Sequence, residues 1–111
     1  MSSGKHGTEV EAKATNRLRT AHLLRLERYV NIAMIGMWMR NERSRKTIGM
    51  ALACAGERPP GGADEEMAAC IRELLAEARD FYDKEAFAPT MTRLRVAADM
   101  CSLRVIELSG E

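Results

Sequence analysis

The sequence predicts an all-α fold, a small bundle of three to four helices that pairs as a dimer. Three observations predict it. Apolar residues recur at the helical period over residues 64–84 and 89–108. Aromatics make up only 5% of the chain against 8 Met, the texture of a Leu-, Ile-, Met- and Ala-rich helical core. No segment alternates strongly enough to read as a strand; Arg104-Val105-Ile106-Glu107-Leu108 would pass as one only in isolation.

A length of 111 residues favours one domain. Charged residues at 30% beside a 46% hydrophobic set describe a globular chain, not a disordered one. Residues 1–8 are small and polar and read as a flexible tail, leaving 9–111 as a single helical domain. Thr8 is a candidate N-cap, followed by Glu9 and Glu11 at the positive end of a helix. That helix is expected to reach about Arg43, and whether residues 9–55 form one helix or two stays open across the polar run Asn41–Lys46. Gly56-Glu57-Arg58-Pro59-Pro60-Gly61-Gly62 opens a Pro/Gly loop over 56–63, the clearest break in the chain.

Beyond the loop, Asp64 reads as an N-cap, with Glu65 and Glu66 in the first turn of helix 64–84. Met67, Cys70, Ile71, Leu74, Leu75, Ala78, Phe81 and Tyr82 share one face of it, so it reads as a one-sided bundle member. Pro89 starts the last helix and Gly110 ends it. Its main stripe is Met91, Leu94, Ala98, Cys101, Val105 and Leu108, while Val96, Met100 and Leu103 fall on roughly the opposite side.

The first helix is two-faced as well. Leu23, Leu26, Val30, Ala33, Met34 and Met37 form one stripe, and Ile32, Ile35 and Met39 lie behind it. Each large apolar side chain left in water forgoes about 1.5–3 kcal/mol of burial. A second apolar face in so small a chain therefore points to a partner, in the simplest case a second copy. Gly36 would permit close helix approach there, and Trp38 and Arg40 are residue types that anchor interfaces. The candidate interface is thus Ile32, Ile35, Gly36, Trp38, Met39, Arg40, Val96, Met100 and Leu103, with Trp38 also readable as core.

Catalytic, cofactor and metal motifs are not found, and the chain reads as no enzyme. The glycines at 56–62 lack the spacing of a phosphate loop, and the carboxylates of helix 64–84 lack a Glu-x-x-His pattern. His6 lies in the tail, and His22 has no Cys or carboxylate at ligand spacing, so no metal is expected. Cys54, Cys70 and Cys101 are odd in number, with no C-x-x-C pair, and read as reduced core residues. The apolar run at 29–39 is too short to cross a bilayer, no leader pattern is visible, and the expected location is the cytoplasm.

The net charge of +1 gives no bulk attraction to nucleic acid, but it is unevenly placed. Residues 1–58 hold 11 Lys/Arg against 5 Asp/Glu, and the remainder 6 against 11, so the halves balance at +6 and −5. Packing of the two halves on each other accounts for this. An alternative reading takes Arg17, Arg19, Arg25, Arg28, Arg40, Arg43, Arg45 and Lys46 as a nucleic-acid surface. Thr47–Gly56 faintly resembles the first helix and turn of a helix-turn-helix, but the Pro/Gly loop is too long and Asp64-Glu65-Glu66 would repel phosphate.

Size, helical content and two-sided helices such as Ile32/Ile35/Met39 and Val96/Met100/Leu103 resemble the small, all-α, dimeric antiactivators that bind quorum-sensing transcription factors and silence them. The resemblance is one of profile and carries no residue role. It implies a homodimer whose partner is a transcriptional regulator, held through an apolar surface and needing no cofactor. A structural adaptor or secretion chaperone is the remaining alternative.

Overall fold

Four helices, joined by short connections, form a ring in which each packs on its two neighbours. The structure, a computed structural model, describes residues 2–110 and the side chains of 9–110. The helices are α1 (Ser2–Trp38), α2 (Ser44–Ala55), α3 (Glu65–Asp83) and α4 (Phe87–Ser109). A 3-10 turn, Pro60–Gly62, lies between α2 and α3, and no strand occurs among the described residues. Gly36 meets Ser44, Arg45 pairs with Asp83, and Trp38 meets Phe87, so α1 and α3 run one way and α2 and α4 the other. No helix among the described residues is long and apolar enough to cross a membrane.

The core follows the predicted stripes. Leu23, Leu26, Val30, Ala33 and Met37 from α1 meet Ile48, Ala51, Cys54 and Ala55 from α2. Ile71, Leu75 and Ala78 from α3 and Leu94, Ala97, Ala98 and Cys101 from α4 close the other side. Cys70 departs from the expectation and is exposed. It sits one residue ahead of Ile71, turned about 100° off the buried line.

Residues 9–55, open between one helix and two, form two antiparallel helices, the first ending at Trp38, short of the expected Arg43. The chain reverses through a C-terminal cap at the end of α1. The Asn41 N–H donates to the Gly36 carbonyl at 2.8 Å and the Arg40 N–H to that of Met37 at 3.1 Å, with Arg40 left-handed at φ 52°. Asn41 Oδ1 then accepts the Arg43 N–H at 2.9 Å, fixing the entry to α2. The α3–α4 turn repeats this cap, with Glu85 left-handed at φ 58° and the Ala86 N–H donating to the Phe81 carbonyl at 2.9 Å. At the other end of the molecule α1 starts at Ser2, so Thr8 lies inside the helix and not at its cap.

Asp64 stands at the start of α3, but its carboxylate does not cap the helix. It accepts two hydrogen bonds from Arg19 of α1, both at 2.9 Å, and lies 3.6 Å from Arg104 of α4. The Arg19 guanidinium holds this carboxyl below the usual carboxylate range. Together with Arg45–Asp83, the Arg19–Asp64 pair joins the basic first half of the chain to its acidic second half. Gly61 seats the loop on α1, since a Cβ there would come within 2.6 Å of Thr15 Cγ2 and its φ is +69°.

At 37 residues α1 is about 55 Å long, against about 18 Å for the 12 residues of α2. Its N-terminal part therefore extends past the bundle, and the molecule measures 60 × 19 × 18 Å.

Candidate functional site

The outer side of α1 carries the apolar strip that the two-faced pattern predicts. Ile32, Ile35 and Met39 are 47%, 59% and 74% exposed. They follow one another at helical spacing opposite the buried Val30–Ala33–Met37 line. Leu24, also exposed, continues the outer side one turn before Arg28, and Met50 is exposed on the neighbouring α2. Neither Leu24 nor Met50 stands out in the sequence. Leu24 falls where the back of α1 is otherwise basic, with Arg17, Arg25 and Arg28, and Met50 belongs to a helix whose placement depends on the turn at Arg40.

Trp38 is not a core residue. It is 69% exposed, its ring edge-on to Phe87 of α4 with centroids 5.2 Å apart. Gly36 does permit a close helix approach, but to the chain's own α2: a Cβ at this position would stand 2.5 Å from Ser44 Oγ. Arg40 occupies the left-handed corner of the turn. Near it, Met37, Glu42, Tyr82, Glu85 and Phe87 help line an open cleft of about 680 Å³.

On α4, Val96 and Leu103 are exposed, as is Ile106 one turn beyond Leu103. Met100 is half-buried and packs against the core. Ile106 follows Leu103 at i,i+3, so helical spacing alone places it on this strip. The sequence-predicted residues therefore separate. Ile32, Ile35 and Met39 share one surface with Trp38 at its end, Val96 and Leu103 occupy another, and Gly36 and Met100 serve packing within the chain.

A polar cluster at the junction of α1 with the end of α2 has no counterpart in the sequence reading. His22, buried, donates from Nε2 to the Cys54 carbonyl at 3.1 Å and lies 3.7 Å from Glu57 Oε2. Arg25 reaches the same Glu57 carboxylate. Burial pushes the Cys54 thiol up from its ordinary range, and the Arg25 guanidinium pulls against that shift. Cys101 is pushed up to about 12, first by burial and then by Glu27, which makes it an inert core thiol.

Comparison with protein-family models, with curated proteins and with solved structures finds no match for this chain.

Proposed function

We propose that this chain is a protein-binding regulatory module that pairs with a second copy and sequesters a transcription factor by covering an apolar surface, as an antiactivator does. The observation that carries the reading is the outward strip Ile32–Ile35–Met39, extended by Trp38, on a helix whose opposite side is already buried. Covering three such side chains is worth several kcal/mol, at about 1.5–3 kcal/mol each. A two-fold partner would bring the same strip from each copy into contact. Val96, Leu103 and Ile106 on α4 would then stay available to the regulator. The arginine-rich face speaks less for nucleic acid, since Arg19, Arg25 and Arg45 are engaged by Asp64, Glu57 and Asp83.

Ile35→Glu tests the reading. Sedimentation of the variant should show a dissociated dimer, or capture from nuclease-treated native lysate should lose the transcription factor retained by the wild type. The circular dichroism of the helices should be unchanged. A variant that sediments and captures like the wild type overturns the proposal, and so does one that unfolds, because Ile35 would then be core.

A further inference from the structure

We propose that His22, Cys54 and Glu57 form a binding site for a divalent transition-metal ion of zinc's character. The three come from different segments, namely the middle of α1, the last turn of α2 and the start of the loop after it. The antiparallel pairing of α1 and α2 brings an imidazole nitrogen, a thiol sulfur and a carboxylate oxygen within 4.8 Å of one another. Imidazole, thiolate and carboxylate together are a zinc-type donor set, whereas calcium and magnesium take oxygen ligands.

Zinc bonds of about 2.0–2.3 Å in a tetrahedron set neighbouring donors roughly 3.5 Å apart, so the site needs side-chain shifts of about 1 Å. Glu57 is exposed and able to make them, and Arg25, half-exposed, can leave the carboxylate for solvent. A cleft of about 320 Å³, lined by Leu18, Arg25 and Pro60 among others, opens on His22 and Glu57. It gives water access to a fourth coordination position. The hydrogen bond from His22 to the Cys54 carbonyl accounts for the imidazole as a cap on the end of α2, but it makes no use of the nearby sulfur.

On binding, the Cys54 S–H bond breaks, the sulfur bonds the ion and the proton leaves to solvent. His22 Nε2, the nitrogen facing Glu57, gives up its hydrogen bond to the Cys54 carbonyl; its proton passes through solvent to Nδ1, and its lone pair bonds the ion beside a Glu57 carboxylate oxygen. The ion would fasten the start of the 56–63 loop to α1. The site lies about 20 Å along α1 from Ile35 and does not depend on the protein-binding proposal.

The test is a titration of the full chain with Co²⁺, carried out with Cys70→Ser so that the exposed thiol does not contribute. One equivalent should produce a saturable thiolate-to-cobalt charge-transfer absorption that Zn²⁺ displaces. Cys54→Ser should abolish that band. Glu57→Gln changes an exposed side chain, keeps the fold and should weaken affinity by at least ~10-fold, the smallest loss usual for a disturbed metal site. If Cys54→Ser loses helicity, Glu57→Gln decides alone. The absence of a charge-transfer band overturns the site, as does a band that Glu57→Gln leaves at full affinity.

Discussion

Helices α1 and α3 lie at opposite corners of the same ring and run in the same direction, yet they treat their apolar residues differently. In α3 the large apolar side chains Ile71 and Leu75 at the centre, with Met67, Leu74 and Tyr82 at the edges, pack on the core, and Phe81 is half-buried under Arg93. Its outer residues Glu65, Glu66, Glu73 and Asp80 are polar and exposed. In α1 the inner line is equally well buried, but Ile32, Ile35, Trp38 and Met39 stand in solvent. Folding of a single chain explains nearly all of α3, Cys70 being exposed, and only half of α1. The surplus on α1 is what the protein-binding proposal rests on.

Substitutions on the two helices sharpen this contrast. The largest loss is expected from Leu75→Ala, which empties a fully buried position. About 2–5 kcal/mol of stability should go, read by chemical denaturation. A loss below about 1 kcal/mol would mean that α3 is packed no more tightly than the outer side of α1. Next comes Asp64→Asn, which removes the charge shared by Arg19 and Arg104 beside α3; about 1.5–3 kcal/mol should be lost at neutral pH.

The same pair sets a pH dependence. The folded Asp64 carboxyl sits below its unfolded value of about 3.9, so its contribution is complete above that pH and fades as pH falls through the folded value. Denaturation at a series of acid pH values should show that component in the wild type. Asp64→Asn should lack it, and an identical acid profile would remove Asp64 from the account.

Gly36→Ala is expected to cost about 1 kcal/mol, since overpacking against Ser44 outweighs the helix preference of Ala over Gly. Ser44→Ala removes the Oγ at 2.5 Å and leaves Ser44 Cβ at 3.6 Å, an ordinary contact. In that background the glycine substitution should turn neutral or stabilising in thermal melts, a coupling that a double-mutant cycle measures. The smallest effect on stability belongs to Ile35→Glu, within about 0.5 kcal/mol for an exposed site in the dissociated chain. Its effect on sedimentation should be the largest among these substitutions.

Much of the fold can be read from the residues, because helical periodicity and loop composition are local signals. The spacing of Ile71, Leu75 and Ala78 defines α3, and Pro59-Pro60-Gly61-Gly62 marks the break before it. The end of α1 is less legible. Its capping position usually takes glycine, and here Arg40 adopts the left-handed conformation instead. Asp64 is recognisable as a helix start, but its function depends on Arg19, 45 positions earlier. The outward strip of α1 is visible because both of its faces lie within one stretch of chain. The His22–Cys54–Glu57 cluster is not, since His22 and Cys54 are 32 positions apart and meet only through the register of α1 on α2.

The overhang of α1 has a consequence in time as well as in shape. From Leu23 to Met37 the helix is clamped by its neighbours, and its backbone bonds open only when the bundle opens. At Glu9–Lys13 every side chain is exposed, and helicity there depends on local propensity alone. Backbone amide exchange along this one helix should therefore be slow in the clamped segment and fast in the projecting one. A partner that grips the projecting turns would slow them, extending the rigid part of the molecule without altering its fold.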